Sequence, residues 1–133
     1  MKTVFLDTVG LIALLDVSDQ WHELANGAHR LVKDEQSRFV TTSFVILECG
    51  NAASRRPYRQ HIDQIMRQLR SDKALIVPTE SDWELAWSTF ENSHIGSAGI
   101  VDCVSFVVMQ RLGITEAFTN DEHFRAAGFT TLF

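Results

Sequence analysis

The stretch KTVFLDTVGLIALL, residues 2–15, decides the fold class of this 133-residue chain. The run from Lys2 to Leu6 is rich in β-branched and aromatic residues and stops at Asp7, which predicts a short buried strand whose end presents a carboxylate. A short apolar helix, Leu11 to Leu15, is predicted directly after it. A buried strand followed at once by a helix is typical of an α/β chain.

Strands and helices alternate along the rest of the sequence. Further strands are predicted over Arg38 to Thr41, Ala74 to Val77, Glu116 to Thr119 and Phe129 to Leu132. The predicted helices are Gln20 to Lys33, Ser43 to Ser54, Pro57 to about Arg70, one that starts at a Ser81/Glu84 capping box, Ile100 to Leu112, and Glu122 to Ala127. This alternation predicts an α/β fold with a central, mostly parallel sheet of about five short strands flanked by helices. Such sheets place their sites at the carboxyl ends of the strands.

Length and composition indicate a single domain over residues 1–133. The hydrophobic fraction of 45% and the charged fraction of 22% are those of a globular protein. No uncharged stretch reaches the ~18 residues of a membrane span, so we expect no membrane partner and a cytoplasmic location. The 12 basic and 17 acidic residues give a net charge of −5, which argues against general electrostatic binding of nucleic acid. A local basic patch or a bound cation would reverse the field at a site.

The cysteines and tryptophans are predicted to be structural. Cys49 and Cys103 lie far apart with no metal-ligand spacing around them, which favours buried free thiols. Trp21, Trp83 and Trp87 occur at helical spacing, and we expect them to pack in the core. Neither group is therefore a first candidate for chemistry.

Four acidic residues are the candidates. Asp7 and Asp121 directly follow predicted strands, whereas Glu48 and Asp102 interrupt otherwise apolar helical segments. Each has a local alternative: Asp7 as a helix cap, Asp102 and Asp121 as first-turn acids, and Glu48 as a solvated side chain. Taken singly, none of the four establishes a site.

Together the four acids form a stronger pattern, because the carboxyl ends of parallel strands and the helices beside them can converge on one pocket. At ~5 Å and an effective dielectric near ~20, each pair of carboxylates would repel by roughly 3 kcal/mol, so a cation or bound protons must relieve the repulsion. Oxygen ligands of this kind suit Mg²⁺ or Mn²⁺. The chemistry that such a site supports is the hydrolysis of a phosphodiester.

These residues also carry a resemblance to a known family. The motifs are VFLDT (4–8), TSFVILE (42–48), GIVD (99–102) and TNDEHF (119–124). In order and spacing they resemble those of the PIN-domain ribonucleases, and the chain is most similar to VapC-type toxins of bacterial and archaeal toxin–antitoxin pairs. The resemblance runs from Lys2 to about Leu132.

The resemblance implies a three-layer PIN-like fold and an endoribonuclease dependent on Mg²⁺ or Mn²⁺. It implies that Asp7, Asp102 and Asp121 hold the metal, while Glu48 completes the shell or orients the attacking water. It further implies a homodimer neutralised by a cognate antitoxin protein. The supporting residues are Thr8, Thr119 and Asn120. The chain departs from the family at Val9, where members often carry Ser or Asn, and this removes a polar contact.

Arg55, Arg56 and Arg59 follow the helix that bears Glu48 and form a candidate rim for RNA phosphates, with a solvated helix face as the alternative. Two other functions stay open. One is a catalytically inactive PIN-like binding module. The other is a different metal-dependent phosphoester hydrolase, although a haloacid-dehalogenase-type phosphatase would need a second acid where Val9 stands.

Overall fold

A computed structural model describes all residues from Met1 to Phe133 and contains five strands and seven helices. In chain order the elements are β1 (Thr3–Leu6), α1 (Thr8–Leu15), α2 (His22–Asp34), β2 (Arg38–Thr42), α3 (Ser43–Ala53), α4 (Arg59–Ser71), β3 (Leu75–Ile76), α5 (Glu80–Glu91), α6 (Ile100–Leu112), β4 (Glu116–Phe118), α7 (Glu122–Ala126) and β5 (Thr130–Thr131). Every predicted strand and helix is present.

The five strands form one sheet in the order β3-β2-β1-β4-β5, and every neighbouring pair is parallel. Within it, Val4 of β1 lies opposite Phe39 of β2, and Phe5 lies opposite Ala117 of β4. The chain adds β2 and β3 on one side of β1 and then returns to add β4 on the other. This reversal places a crevice at the carboxyl ends of β1 and β4, where ligands of such sheets bind.

The core lies around the central strand, because β1 is covered on both faces. Val4, Phe5 and Leu6 are all buried, and Phe118, Phe124 and Met109 are further large side chains with no exposed surface. A smaller apolar cluster, separate from the main core, joins α5 to α6 and consists of Ala86, Cys103, Val104 and Val108. Both cysteines are buried free thiols, as predicted.

The helix that follows β3 starts differently from the prediction. The capping box is formed by Thr79 and Asp82, not by Ser81 and Glu84. Thr79 Oγ1 accepts a hydrogen bond from the Asp82 N–H at 3.1 Å, and Asp82 Oδ2 accepts one from the Thr79 N–H at 2.9 Å. The Asp82 carboxylate also accepts two hydrogen bonds from the Arg111 guanidinium, at 2.9 and 2.7 Å. This contact with α6 is long-range, so the local spacing of the sequence could not select between the two boxes.

The prediction that the tryptophans are core residues was wrong for two of the three. Trp21 is 38% exposed and Trp83 is 44% exposed. Trp83 packs edge-on against Phe44 and Trp87, which leaves an aromatic face open along α5. Helical spacing identifies a stripe of apolar residues but not whether another element covers it.

None of the seven helices combines the length and the apolar character that a membrane crossing requires.

Gly10 allows α1 to lie directly against β4. A Cβ atom at this position would lie 1.9 Å from the backbone oxygen of Phe118 and 2.6 Å from its ring. No side chain therefore fits between the first turn of α1 and the end of β4. The close approach holds the segments that carry Asp7 and Thr119 side by side.

We predict that Gly10→Ala lowers the free energy of unfolding by about 1–3 kcal/mol or more, because the backbone of β4 must move to admit the methyl group. Urea denaturation at pH 7.5 measures the loss. Gly27→Ala is the matched control: Gly27 is an exposed helical glycine with open space around it, so the change should stabilise the protein by about 0.5–1 kcal/mol. Equal effects of the two substitutions would contradict the close-approach argument.

Candidate metal centre

The four predicted acids line a single cavity of about 240 Å³ at the carboxyl ends of β1 and β4. Its lining consists of Asp7, Thr8, Val9, Glu48, Gly99, Ile100, Val101, Asp102 and Asp121. One carboxylate comes from each of four places: the residue after β1, the middle of α3, the first turn of α6 and the residues after β4. The predicted convergence of these residues is therefore present in the structure.

Asp7 is fixed in this cavity by a hydrogen bond from Thr119. The Asp7 side chain is only 2% exposed, and its Oδ2 accepts the Thr119 hydroxyl at 2.8 Å. Although Asp7 occupies the position before α1, its side chain makes no cap hydrogen bond to that helix. Capping of α1 therefore does not account for the position of the Asp7 carboxylate, which the Thr119 hydroxyl holds. The Thr119 hydroxyl also accepts the Asp121 N–H at 3.1 Å, so one threonine links the ends of β1 and β4.

The other predicted supporting residues differ in what they contact. Thr8 donates its hydroxyl to Glu48 Oε1 at 2.6 Å, which orients an otherwise exposed carboxylate toward the cavity. Asn120 does not line the cavity, and its backbone oxygen accepts a hydrogen bond from Arg125 at 3.0 Å. The structure thus gives Thr8 a direct part in positioning an acid and gives Asn120 a backbone contact outside the cavity.

Asp121 combines a local and a long-range role. It precedes α7, and its Oδ1 accepts the backbone N–H of His123 at 2.9 Å, so it is the N-cap of α7 and not the first-turn acid of the local alternative. It also lines the acidic cavity. Asp121 therefore caps a helix and faces the other three acids at the same time.

Burial and mutual repulsion change the acidity of two of the carboxyl groups. Burial raises the pKa of Asp7 to about 6, although the Thr119 hydroxyl opposes the rise. Burial, followed by the charges of Asp7, Asp121 and Glu48, raises the pKa of Asp102 to about 7. A bound divalent cation would favour the ionised form of both groups. The donor set, four carboxylates in a small cavity, fits a hard cation such as Mg²⁺ or Mn²⁺.

His123 is the site residue that the sequence hypotheses missed. Ligand atoms of Asp102, Asp121 and His123 lie within 4.8 Å of one another. The His123 Nδ1 lies 3.0 Å from Asp121 Oδ1, and Nε2 lies 2.9 Å from the Gly96 backbone oxygen. The Gly96 oxygen and the Asp121 carboxylate raise the pKa of this imidazole. The only signal in the sequence was a histidine two positions after a candidate metal ligand, at the start of a helix.

The three candidate rim arginines do not line the acidic cavity. Arg56 lines a different cavity together with Asp16 and Tyr58, and the Arg59 guanidinium donates to the Ser54 backbone oxygen at 3.1 Å. Arg55 lies past the end of α3, which stops at Ala53. The three arginines therefore lie beyond this helix and outside the lining of the acidic cavity.

The comparison with known proteins agrees with this geometry. A model of the PIN domain matches residues 4–130. The chain belongs to the PIN-domain family. The crystal structure of VapC20 from Mycobacterium tuberculosis, described as a toxin that cleaves the sarcin-ricin loop, superposes with a TM-score of 0.78 at 27% identity, covering 96% of each chain. The prediction of a PIN-like fold of the VapC toxin type is therefore confirmed.

A second solved structure shares only the fold of this PIN domain. A chain from FitAB bound to the IR36 DNA fragment superposes with a TM-score of 0.64 at 12% identity, and the match covers 96% of this chain and 92% of the other. No curated protein matches the sequence at a significant level. The family and the fold thus rest on the PIN-domain model and on solved structures.

We predict that the metal-free PIN domain loses stability as pH rises from about 4 to 7. The folded-state pKa values of Asp7 and Asp102 lie above their usual value of 3.8, so the folded protein binds protons more tightly than the unfolded chain in this window. Asp7→Asn removes one of these groups. The free energy of unfolding of Asp7→Asn minus that of wild type should therefore be about 1 kcal/mol larger at pH 7.5 than at pH 5.

Urea denaturation in EDTA at the two pH values measures this difference. The control is Asp63→Asn, because Asp63 is an exposed residue on α4 whose carboxylate pairs only with Arg67. Its stability difference from wild type should stay constant between pH 5 and pH 7.5. If the difference for Asp7→Asn were constant as well, the pKa of Asp7 would not be raised in the folded protein.

Proposed function

We propose that this PIN domain is a divalent-metal-dependent endoribonuclease that hydrolyses RNA phosphodiester bonds as the toxin of a type II toxin–antitoxin system. The observation that carries the proposal is the meeting of Asp7, Glu48, Asp102 and Asp121 in one small cavity. Their elements are far apart in the sequence, and the raised pKa values of Asp7 and Asp102 indicate a site that is electrostatically incomplete without a cation.

The four acids have different roles in the proposed hydrolysis. Asp7, Asp102 and Asp121 would hold a Mg²⁺ or Mn²⁺ ion, which would activate a water and neutralise the charge that develops on the phosphate. Thr119 keeps the buried Asp7 carboxylate in place through its hydroxyl. Glu48 is the exposed member, oriented by Thr8, and it orients the attacking water on the solvent side of the cavity.

RNA is the substrate class that this proposal favours. VapC20, which shares 27% identity over 96% of the chain, is described as cleaving a sarcin-ricin loop. The net charge of −5 gives no general attraction to RNA, so binding must come from the metal and a local rim. We assign that rim to Arg55, Arg56 and Arg59 beyond the end of α3, and we place the activity in the cytoplasm, where RNA and antitoxin are present.

We predict that the purified protein cleaves RNA in Mn²⁺ or Mg²⁺ and stops when EDTA is added. Asp7→Asn or Asp102→Asn should lower the cleavage rate at least about 100-fold, because each removes a charged ligand while preserving the side-chain shape. Gel analysis of a structured RNA under single-turnover conditions measures the rates. Asp63→Asn again serves as the control and should cleave at the wild-type rate. Full activity of either cavity variant would refute the assignment.

Two measurements separate this proposal from its alternatives. An inactive binding module should show no rise in melting temperature with Mn²⁺ at pH 7.5, whereas ligation by the acidic cavity should stabilise the wild type and stabilise Asp7→Asn much less. A different phosphoester hydrolase would turn over a small monoester such as p-nitrophenyl phosphate and leave RNA intact. Either result would replace the proposed endoribonuclease function and would not affect the assignment of the PIN fold.

The partners in this proposal are a cognate antitoxin and a second copy of the chain. The exposed aromatic face of α5, formed by Trp83, Trp87 and Phe90, is the surface that we assign to the homodimer. Trp83 and Phe90 are 44% and 40% exposed, and aromatic side chains of this kind are enriched at protein interfaces.

We predict that the wild type sediments as a dimer and that Trp83→Glu sediments as a monomer, because a charge in an apolar contact is left unpaired. Sedimentation velocity at about 50 μM measures the mass. The matched control is Trp21→Glu, which places the same charge at the other exposed tryptophan and should leave the dimer intact. A monomeric wild type would reassign the α5 face to the antitoxin or leave it without a partner.

A further inference from the structure

The imidazole of His123 lies at the edge of the acidic cavity and contacts groups on two sides. One ring nitrogen faces the Asp121 carboxylate and the other faces the backbone oxygen of Gly96. We propose that His123 is a direct nitrogen ligand of the metal ion and that it makes this site prefer Mn²⁺ to Mg²⁺. This inference rests on the proposed metal-dependent function and extends it to the identity of the ion.

The contact with Gly96 fixes which nitrogen is available. A backbone oxygen only accepts hydrogen bonds, so Nε2, at 2.9 Å from it, carries a hydrogen atom. Histidines that bind metals commonly donate their second ring N–H to a backbone carbonyl or a carboxylate, which sets the tautomer and the orientation of the ring. The Gly96 oxygen performs this task for His123. Nδ1 is left to face Asp121, whose Oδ1 lies 3.0 Å away.

The spacing between His123 Nδ1 and Asp121 Oδ1 is that of two neighbouring ligands of one metal ion. Nδ1 and Asp121 Oδ1 are 3.0 Å apart, and both are electron-pair donors when the carboxylate is ionised and Nε2 holds the ring hydrogen. Such a pair needs a cation, either a proton or a metal ion, beside it. Two ligands at right angles and ~2.1 Å from an octahedral ion are separated by ~3.0 Å, which is the spacing found here.

A third ligand atom completes the argument for a metal ion over a surface ion pair. The carboxylate of Asp102 contributes an oxygen that lies within 4.8 Å of the chosen atoms of both Asp121 and His123. Because the three atoms come from α6, the end of β4 and α7, the placement depends on the tertiary fold rather than on one local turn.

A nitrogen ligand changes which ion the site favours. Mg²⁺ is bound almost entirely by oxygen, whereas imidazole suits transition metals, and affinity for a mixed nitrogen and oxygen site rises from Mn²⁺ along the first-row series. A site of carboxylates alone would discriminate less between Mg²⁺ and Mn²⁺. With His123 as a ligand, the preference for Mn²⁺ over Mg²⁺ becomes a property of this chain.

Pulsed electron paramagnetic resonance of the Mn²⁺-loaded full-length protein tests the ligand directly. We expect nitrogen modulation of the Mn²⁺ signal that changes from the ¹⁴N to the ¹⁵N pattern when the protein is produced with ¹⁵N-labelled histidine. His123→Phe, which keeps a ring without a donor, should abolish it. His94→Phe is the matched control, because His94 is an exposed histidine whose hydrogen-bond partners, Ser97 and Ile95, belong to its own loop.

Competition titrations supply the second readout. His123→Phe should weaken Mn²⁺ binding about tenfold and Mg²⁺ binding less than about twofold. Mn²⁺ bound without histidine nitrogen coupling in the wild type would overturn this inference and leave the proposed nuclease intact. Absence of Mn²⁺ binding altogether would overturn the proposed metal-dependent function itself. The measurement on labelled wild-type protein decides the question even if His123→Phe does not fold.

Discussion

Repulsion among carboxylates that the fold holds together at the ends of β1 and β4 is the constraint on which the rest of this site depends. Asp7 is 2% exposed, and three neighbouring acids face the same cavity. Burial and the charge of Asp121 raise the pKa of Asp7 to about 6, and burial with the charges of Asp7, Asp121 and Glu48 raises the pKa of Asp102 to about 7. A sequence selected for stability alone would avoid such a cluster, so its presence indicates a functional demand.

The surrounding structure holds two of the acids in place through separate threonine hydroxyls. Thr119 joins Asp7 to the segment after β4, and Thr8 holds Glu48. Gly10 removes the side chain that would keep α1 away from β4. The strand β1 is buried on both of its faces, and the apolar core around it supplies the folding free energy that offsets the repulsion among the carboxylates.

The comparisons separate what belongs to the fold from what belongs to the site. This PIN domain shares its architecture with VapC20 at 27% identity and with a chain of DNA-bound FitAB at 12% identity. A framework retained at such low identity does not by itself choose a substrate, since function resides in the groups placed on the fold. In this chain the groups that we propose for this role are the acidic cavity, the arginines beyond α3, and the imidazole of His123.

The sequence alone determined the order of strands and helices, the parallel sheet and the four acids, because strand ends and helical periodicity are local properties of the chain. It did not determine the capping box at Thr79, since Asp82 is fixed by Arg111 of another helix. The exposure of Trp83 and the position of His123 beside Gly96 also depend on residues distant in the sequence. Only the tertiary structure decided these features, because which element covers or contacts a side chain is set by packing and not by spacing.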